Sequence, residues 1–189
     1  MEKKLQEFLR PGEQVCWQGQ PGPFGLMEGS CKKQILCKWG VAVVIIGLLL
    51  WSYITFNTNP SVGFVAMVLL VGVIILASPL AEQRSLRGVR YWITDQRAIM
   101  MTRDKICYGM ELDSIDAWKQ VRGMTEWDCL VLGSELFGEV KKQLRWRALH
   151  PKVSSQEGTG RVEGMILYGL RDADDAAALL RMAAAESKH

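Results

Sequence analysis

The chain has few of the residues on which polar catalysis depends. It contains only two histidines, His150 and His189, so a histidine-based relay or metal site has little to be built from. No P-loop and no G-x-G-x-x-G motif follows a predicted strand. Asp172, Asp174 and Asp175 could resemble a metal cluster, but the start of a helix explains them, because carboxylates are favourable at that end of the helix dipole. The sequence therefore predicts a protein that is not an enzyme and holds no metal or cofactor.

The cysteines and the net charge exclude two further classes. The five cysteines form no C-x-x-C pair and no zinc-finger spacing. We expect them to be free thiols that act as small apolar side chains. The net charge of +3 is too small to indicate nucleic-acid binding, which needs a concentrated basic face.

Charge is missing altogether from two long apolar stretches. Residues 39–56 and 62–81 contain no Lys, Arg, Asp, Glu or His, and the polar residues 57–60 join them. Each stretch is about as long as a helix that crosses the hydrocarbon core of a bilayer. We predict transmembrane helices at about residues 37–56 and 61–81, which form a hairpin over residues 35–82. The alternative is a buried helical pair in a soluble protein, but that would need a larger protein around it than this chain supplies.

Basic residues flank the predicted hairpin and are absent from its loop. Three lysines precede the first helix and three juxtamembrane arginines follow the second: Lys32, Lys33, Lys38, Arg84, Arg87 and Arg90. The positive-inside tendency places such residues on the cytoplasmic side. We therefore expect a multi-pass protein of the cytoplasmic (inner) membrane, with the loop outside and both termini in the cytoplasm.

The predicted N-terminal segment, residues 1–34, reads as a short helix and a strand. Residues 2–9 form an amphipathic pattern that Pro11 and Gly12 end. Residues 13–18 alternate in the manner of a half-buried strand. We expect both elements to pack on the cytoplasmic domain, and the alternative is that the helix lies in the membrane interface.

The predicted cytoplasmic domain, residues 83–189, consists of short strands followed by one helix. The strands are at residues 91–94, 97–102, 106–112, 115–121, 129–133, 143–149 and 163–169, with a loop at 151–160. In residues 143–149, apolar Leu144, Trp146 and Ala148 alternate with Arg145 and Arg147, which predicts one buried and one exposed face. The final helix places Ala173, Ala176, Ala177, Leu180 and Ala184 on one face. The fold class is an α+β membrane protein: a helical hairpin and a seven-stranded barrel or sandwich capped by a helix.

Two motifs resemble those of a known family. Residues 91–99, with Tyr91, Thr94, Asp95 and Arg97, are similar to the Y-x-h-T-D-x-R opening of bacterial pleckstrin-homology-like (PH-like) domains fused to membrane helices. Residues 9–21 are similar to the L-x-P-G-E-x-h-x-W-x-G-x-P lead-in of the same small membrane proteins. The resemblance implies a PH-like fold at the cytoplasmic face of a prokaryotic membrane, and it implies no activity. For Asp95 and Arg97 themselves, we expect a turn bond and a charge that faces solvent or lipid.

A second group of basic residues lies near the predicted sixth strand. It comprises Lys141, Lys142, Arg145, Arg147 and Lys152. Anionic lipid attracts such charges by about 1 kcal/mol each near the membrane surface. The group is either a solvated face or a surface for a lipid or a protein partner.

Three functions remain for such a molecule. The leading hypothesis is a non-enzymatic, membrane-anchored module that binds another membrane or cytoplasmic protein. The second is a sensor of anionic lipid head groups that uses the Lys141 to Lys152 group. The third, an enzyme of lipid or envelope metabolism, would need a site that these residues do not indicate. The bilayer itself is an expected partner in all three.

Overall fold

The structure is a computed structural model of the chain. It describes residues 2–28, 31–123, 125–154 and 162–186, and within these ranges it describes every side chain except those of Glu2, Lys141, Lys142 and residues 183–186. The described residues form two compact units. The β unit contains the residues up to Phe24 and those from Arg84 onward, and the hairpin unit contains Gly25–Gln83.

The chain has an α+β order of helices and strands. They are α1 (Glu2–Phe8), β1 (Val15–Gly19), α2 (Cys31–Phe56), α3 (Val62–Leu86), β2 (Arg90–Thr94), β3 (Arg97–Met101), β4 (Cys107–Glu111), β5 (Trp118–Val121), β6 (Asp128–Leu132), α4 (Val140–Leu149), β7 (Lys152–Val153), β8 (Val162–Leu170) and α5 (Ala173–Glu186). Two 3₁₀ turns, Leu112–Ser114 and Ser134–Leu136, precede β5 and α4.

The hairpin unit consists of two helices that are long and apolar enough to cross a membrane. Both predicted helices are confirmed as helices. Helix α2 begins at Cys31 rather than near residue 37, and α3 continues to Leu86 rather than ending near residue 81. The extensions consist mostly of residues with good helix propensity, such as Lys, Gln, Leu and Arg.

A proline inside α3 is accommodated by side chains of both helices. Pro79 has no N–H to donate to the carbonyl of Ile75. The hydroxyl of Ser78 donates to that carbonyl at 2.8 Å instead. Lys38 of α2 donates to the same hydroxyl at 2.8 Å, and the indole of Trp39 donates to the carbonyl of Leu76 at 3.1 Å. The bond from Ser78 satisfies a carbonyl that would otherwise be costly in an apolar medium.

Most of the predicted strands of the β unit are confirmed. Strands β2, β3, β4, β5, β6 and β8 overlap six of the seven predicted after the hairpin, and β1 overlaps the one predicted before it. Strand β5 begins at Trp118 rather than at Ile115, because the N–H of Ile115 closes the preceding 3₁₀ turn on the carbonyl of Leu112. Strand β7 falls where the sequence predicts a loop, the rest of which, from residue 155, lies outside the described residues.

The strand predicted at residues 143–149 is wrong: these residues belong to helix α4. The buried apolar side chains are Val140, Leu144 and Ala148, which are four residues apart. The helix bends at Gln143, whose φ of −133° and ψ of 32° are not helical. Trp146 is 49% exposed, whereas a strand would bury it beside Leu144. The alternation of apolar and basic residues at 144–148 therefore does not reflect a strand, because these residues lie in a helix.

The described strands form two four-stranded antiparallel sheets, to which the strand before the hairpin contributes along with the seven after it. The first has the order β1-β2-β3-β4 and the second the order β5-β6-β8-β7. The N-terminal strand joins the first sheet through pairs such as Gln18 with Trp92, so the expected packing of the N-terminal segment on the domain is confirmed. Beyond β1, Pro21 bridges to Leu170, and the N–H of Gly22 donates to the carbonyl of Gly169 at 2.7 Å. This contact connects the N-terminal segment to the second sheet.

The main core lies between the two sheets and under helix α5. Tyr91 and Ile93 of the first sheet and Leu130 and Leu132 of the second are buried together. Helix α5 covers them with its predicted face, Ala173, Ala176, Ala177 and Leu180, and the side chain of Ala184 lies outside the described residues. Burial of apolar area at roughly 25 cal/mol per Å² stabilises this packing.

Candidate functional site

The two motifs that resemble the PH-like family contact each other. Arg97 of β3 donates from Nε to Oε1 of Glu13 and from Nη2 to Oε2, both at 2.9 Å. Thr94 donates from its hydroxyl to Oε1 of Glu13 at 2.7 Å and accepts the N–H of Arg97 at 2.9 Å. The Glu13 side chain has no exposed surface, and that of Arg97 is 8% exposed. The Glu13–Arg97 pair is thus a buried, bidentate ion pair.

The protein surroundings stabilise the ionised form of Glu13. Burial by itself raises the pKa of this carboxyl group. Hydrogen bonds from Arg97, from the backbone N–H of Arg10 at 2.7 Å and from Thr94 outweigh that effect and lower the pKa to about 2. The carboxylate therefore serves as a fully engaged acceptor and not as a proton donor or base.

The same contacts hold the N-terminal helix and the following turn. Arg97 donates to the carbonyl of Phe8 at 2.6 Å, and its guanidinium lies 4.5 Å from the centre of the Phe8 ring. The carboxylate of Asp95 accepts the backbone N–H of Gln14 at 3.0 Å. The expectation that Arg97 faces solvent or lipid is therefore wrong, and Asp95 bonds across the sheet rather than within its own turn. Thr94 makes the turn bonds instead.

The described side chains of the basic group near α4 do not form one basic face. Arg145 is buried, donates to the hydroxyl of Tyr168 at 3.2 Å and lies 5.5 Å from the centre of the Phe24 ring. Arg147 pairs with Glu139 at 2.5 Å, and Lys152 pairs with Glu135. The side chains of Lys141 and Lys142 lie outside the described residues. Because α4 is a helix, consecutive residues point in different directions, and the predicted strand face does not exist.

The three arginines after the hairpin have different surroundings. Arg84 is exposed in the last turn of α3. Arg87 donates to the carbonyl of Phe24 at 3.1 Å and lies 5.8 Å from the centre of its ring. Arg90, the first residue of β2, lines a surface pocket of about 430 Å³. Arg90 thus differs from the other two in lining this pocket.

This pocket, which we call the Arg90 pocket, is the strongest candidate for a binding site in the described residues. Its lining includes Trp17, Gln18, Arg90, Trp92, Arg171 and Asp172. Strands β1 and β2 supply the first four residues, and the connection from β8 to α5 supplies the other two. Its volume falls in the range of about 300–1,000 Å³ that is typical of small-molecule sites.

Two tryptophans shape the surroundings of the pocket. The Trp17 ring lies over Gly19, where an added Cβ would fall 2.1 Å from a ring carbon. Trp127 donates from its indole to the carbonyl of Pro23 at 3.0 Å, and the guanidinium of Arg171 lies 5.4 Å from its ring centre. The W-x-G spacing of the lead-in motif therefore has a packing reason, because a larger residue at position 19 would displace the indole.

The remaining reactive side chains have structural contacts. All five cysteines are free thiols, as the sequence predicts, and Cys129 accepts the N–H of Gly169 at 3.3 Å. Asp116 accepts bonds from Ser134, which lower its pKa. His150 stacks on Trp146 at 3.9 Å, and His189 lies outside the described residues. No group of three or more potential metal ligands occurs in the ranges that the structure describes.

Comparisons with family models, characterised proteins and solved structures give no match to this chain. The candidate site is therefore inferred from the residues of this chain alone. Sequence reasoning missed Trp92 and Arg171 as members of the same pocket as Arg90, and it missed the contact of Arg171 with Trp127. One signal was present, since Arg90 and Trp92 alternate with the apolar residues Tyr91 and Ile93. The contribution of Arg171 depends on the chain returning through β8 and has no local signal.

Proposed function

We propose that this protein is a membrane-anchored, non-enzymatic module whose β unit is a PH-like domain that binds another protein at the cytoplasmic face of the membrane. The observation that carries the proposal is the pair of helices α2 and α3. Only 6% of the most apolar part of α2 and 11% of that of α3 is buried. A buried pair in a soluble protein would instead show burial close to complete.

The order of elements supports the PH-like part of the proposal. Two four-stranded antiparallel sheets enclose a core, and the last helix packs on that core. The hairpin unit is inserted between β1 and β2, and α4 between β6 and β7. The two family-like motifs are joined by the buried ion pair, because one motif contributes Glu13 and the other contributes Arg97.

The hydrogen bonding of two carboxylates with lowered pKa values supports a non-enzymatic function. Glu13 and Asp116, the carboxylates with lowered pKa values in the described part of the chain, are both held by structural hydrogen bonds. Perturbed pKa values mark candidate catalytic groups where the group also faces a cleft. Glu13 is buried, and Asp116, which lines a surface pocket of about 210 Å³, has both carboxylate oxygens bonded to Ser134. An enzyme of lipid or envelope metabolism is therefore the least supported alternative.

The outer face of α4 supports binding to a protein. Trp146 is 49% exposed and stacks on His150. Exposed tryptophans are enriched at the energetically important positions of protein interfaces. Helix α4 presents this aromatic pair away from the buried Leu144 and Ala148.

Membrane topology tests the anchoring. A reporter inserted at residues 57–60 should be active outside the cell, and one fused after His189 should be active inside. The protein should also stay in the pellet after alkaline extraction of membranes. Release into the supernatant, or the reverse reporter pattern, would contradict the proposal.

Photo-cross-linking in intact membranes tests the partner surface. A photoreactive residue replaces Trp146 in the full-length protein, and a matched variant carries it at exposed Lys119 on β5. We expect one discrete adduct from position 146 and none from position 119. The same adduct from both positions, or none from position 146, would count against a partner on α4.

A further inference from the structure

We propose that the Arg90 pocket binds the phosphate group of a polyol phosphate ester, with Arg90 and Arg171 as the phosphate ligands. The lipid form of this ligand rests on the membrane anchoring proposed above, whereas the free form does not. The two arginines come from distant parts of the chain, so the pocket exists only in the folded β unit.

The register of the first sheet places Arg90 and Trp92 on the face of β2 opposite to the core. Along β2, Tyr91 and Ile93 point into the core between the sheets. Successive side chains of a strand alternate between faces, so Arg90 and Trp92 share the other face. Trp92 is buried there in a separate apolar cluster. Gln18, which pairs with Trp92, adds an amide to the same side of the sheet.

Both guanidinium groups keep hydrogen-bonding capacity within the described part of the chain. A guanidinium has five N–H donors in a planar fork. Arg90 donates from Nη1 to the carbonyl of Val89 at 3.1 Å, and Arg171 stacks on Trp127. Among the ion pairs of the described residues, neither arginine takes part. Both arginines line the same cavity. Guanidinium forks suit phosphate oxygens, which arginine binds in a bidentate manner.

The remaining polar lining indicates hydroxyl groups next to the phosphate. Asp172 and Gln18 line the same pocket. A carboxylate repels a bare phosphate, but it accepts hydrogen bonds from hydroxyl groups beside one. A polyol phosphate, such as the glycerol phosphate of a lipid head group, offers both kinds of group. The combination favours this ligand over inorganic phosphate.

The chain length from α3 keeps Arg90 near the end of a predicted membrane helix. Arg90 follows Leu86, the last residue of α3, by four residues. Four residues span at most about 14 Å of fully extended chain. Head groups of anionic lipids are therefore one source of the polyol phosphate, and soluble esters are the other.

The test uses the full-length protein in neutral detergent. Binding is measured by calorimetry with sn-glycerol 3-phosphate, with a short-chain phosphatidylglycerol and with a short-chain phosphatidylcholine as the zwitterionic control. The variants are Arg90→Gln and Arg171→Gln. The matched control is Arg103→Gln, which removes the same charge from an exposed turn after β3 outside the pocket lining.

We expect saturable binding that each pocket variant weakens at least about tenfold, because a charge-assisted hydrogen bond is lost. Arg103→Gln should stay within about twofold of the unchanged protein. Binding of glycerol 3-phosphate as well as the lipid identifies a phosphate-ester site, and binding of phosphatidylglycerol alone identifies a head-group site. Equal loss in all three variants, or no saturable binding of either probe, would overturn the site.

Lysine variants test the site if the glutamine variants do not fold. If a glutamine variant does not fold, Arg90→Lys and Arg171→Lys replace it; they keep the charge and lose the fork, so binding should weaken severalfold. Unchanged affinity in the lysine variants would reject bidentate recognition. The topology experiment is independent of this one, because glycerol 3-phosphate binding would persist even if α2 and α3 did not span a membrane.

Discussion

Glu13 and Arg97 lie 84 positions apart in the sequence and form one buried, bidentate ion pair at 2.9 Å. The whole hairpin unit separates the two residues along the chain. Their contact fixes α1, the turn before β1 and the β2–β3 turn in one arrangement. A charge pair without solvent stabilises only when both members and their extra hydrogen bonds are present.

Removal of the carboxylate charge should therefore destabilise the β unit. We expect Glu13→Gln to lower the free energy of unfolding by about 3–5 kcal/mol, since Arg97 stays buried without its counter-charge. Glu111→Gln removes the partner of Arg10 in a pair whose side chains are 49% and 35% exposed. That control should cost at most about 1 kcal/mol. Denaturant unfolding of the detergent-solubilised protein measures both, and equal losses would refute the structural importance of the buried pair.

The buried pair of Glu13 and Arg97 should also make the free energy of unfolding depend on pH. The folded-state pKa of Glu13 is lowered from 4.5 to about 2. A lowered pKa contributes stability that is fully present above 4.5 and is lost as the pH falls through that value towards 2. We expect a decrease in stability in this window that Glu13→Gln reduces. Parallel curves for the two proteins between pH 4.5 and pH 2 would disprove the assignment.

Two substitutions in α4 distinguish a helix from the predicted strand. Leu144 is 3% exposed and Trp146 is 49% exposed. Leu144→Ala should cost about 2–5 kcal/mol because it leaves a cavity in the core. Trp146→Ala should cost less than about 1 kcal/mol. A strand would place both side chains on one face, so similar large losses for the two variants would favour it.

A glycine after β6 should resist substitution for steric reasons. Gly133 has a φ of +92°, and an added Cβ would fall 2.3 Å from the carbonyl oxygen of Glu163. We expect Gly133→Ala to cost more than about 2 kcal/mol, since backbone strain and a backbone clash add. Gly138 has open space around it, and Gly138→Ala is the control. Comparison of the two thermal midpoints measures the difference, and a wild-type midpoint for Gly133→Ala would contradict the structure.

The candidate site was accessible to sequence reasoning only in part. Arg90 stood out because it follows a long apolar helix in a run of arginines. Its partner Arg171 did not, because no local pattern relates residue 90 to residue 171. For the Lys141 to Lys152 group, a local pattern was present but predicted the wrong structure. Residues 144–148 alternate as in a strand, whereas the buried Val140, Leu144 and Ala148 have the spacing of a helix.

Local periodicity and the absence of charge determined the two long helices, most of the strands and the buried face of α5. These features depend on neighbours within a few residues, where side-chain spacing and propensity act directly. Only the tertiary structure decided that Arg97 is buried, that β1 joins β2 across the hairpin and that Arg171 lies beside Arg90. Those contacts join residues dozens of positions apart, and their stability depends on desolvation and packing that the linear order does not encode.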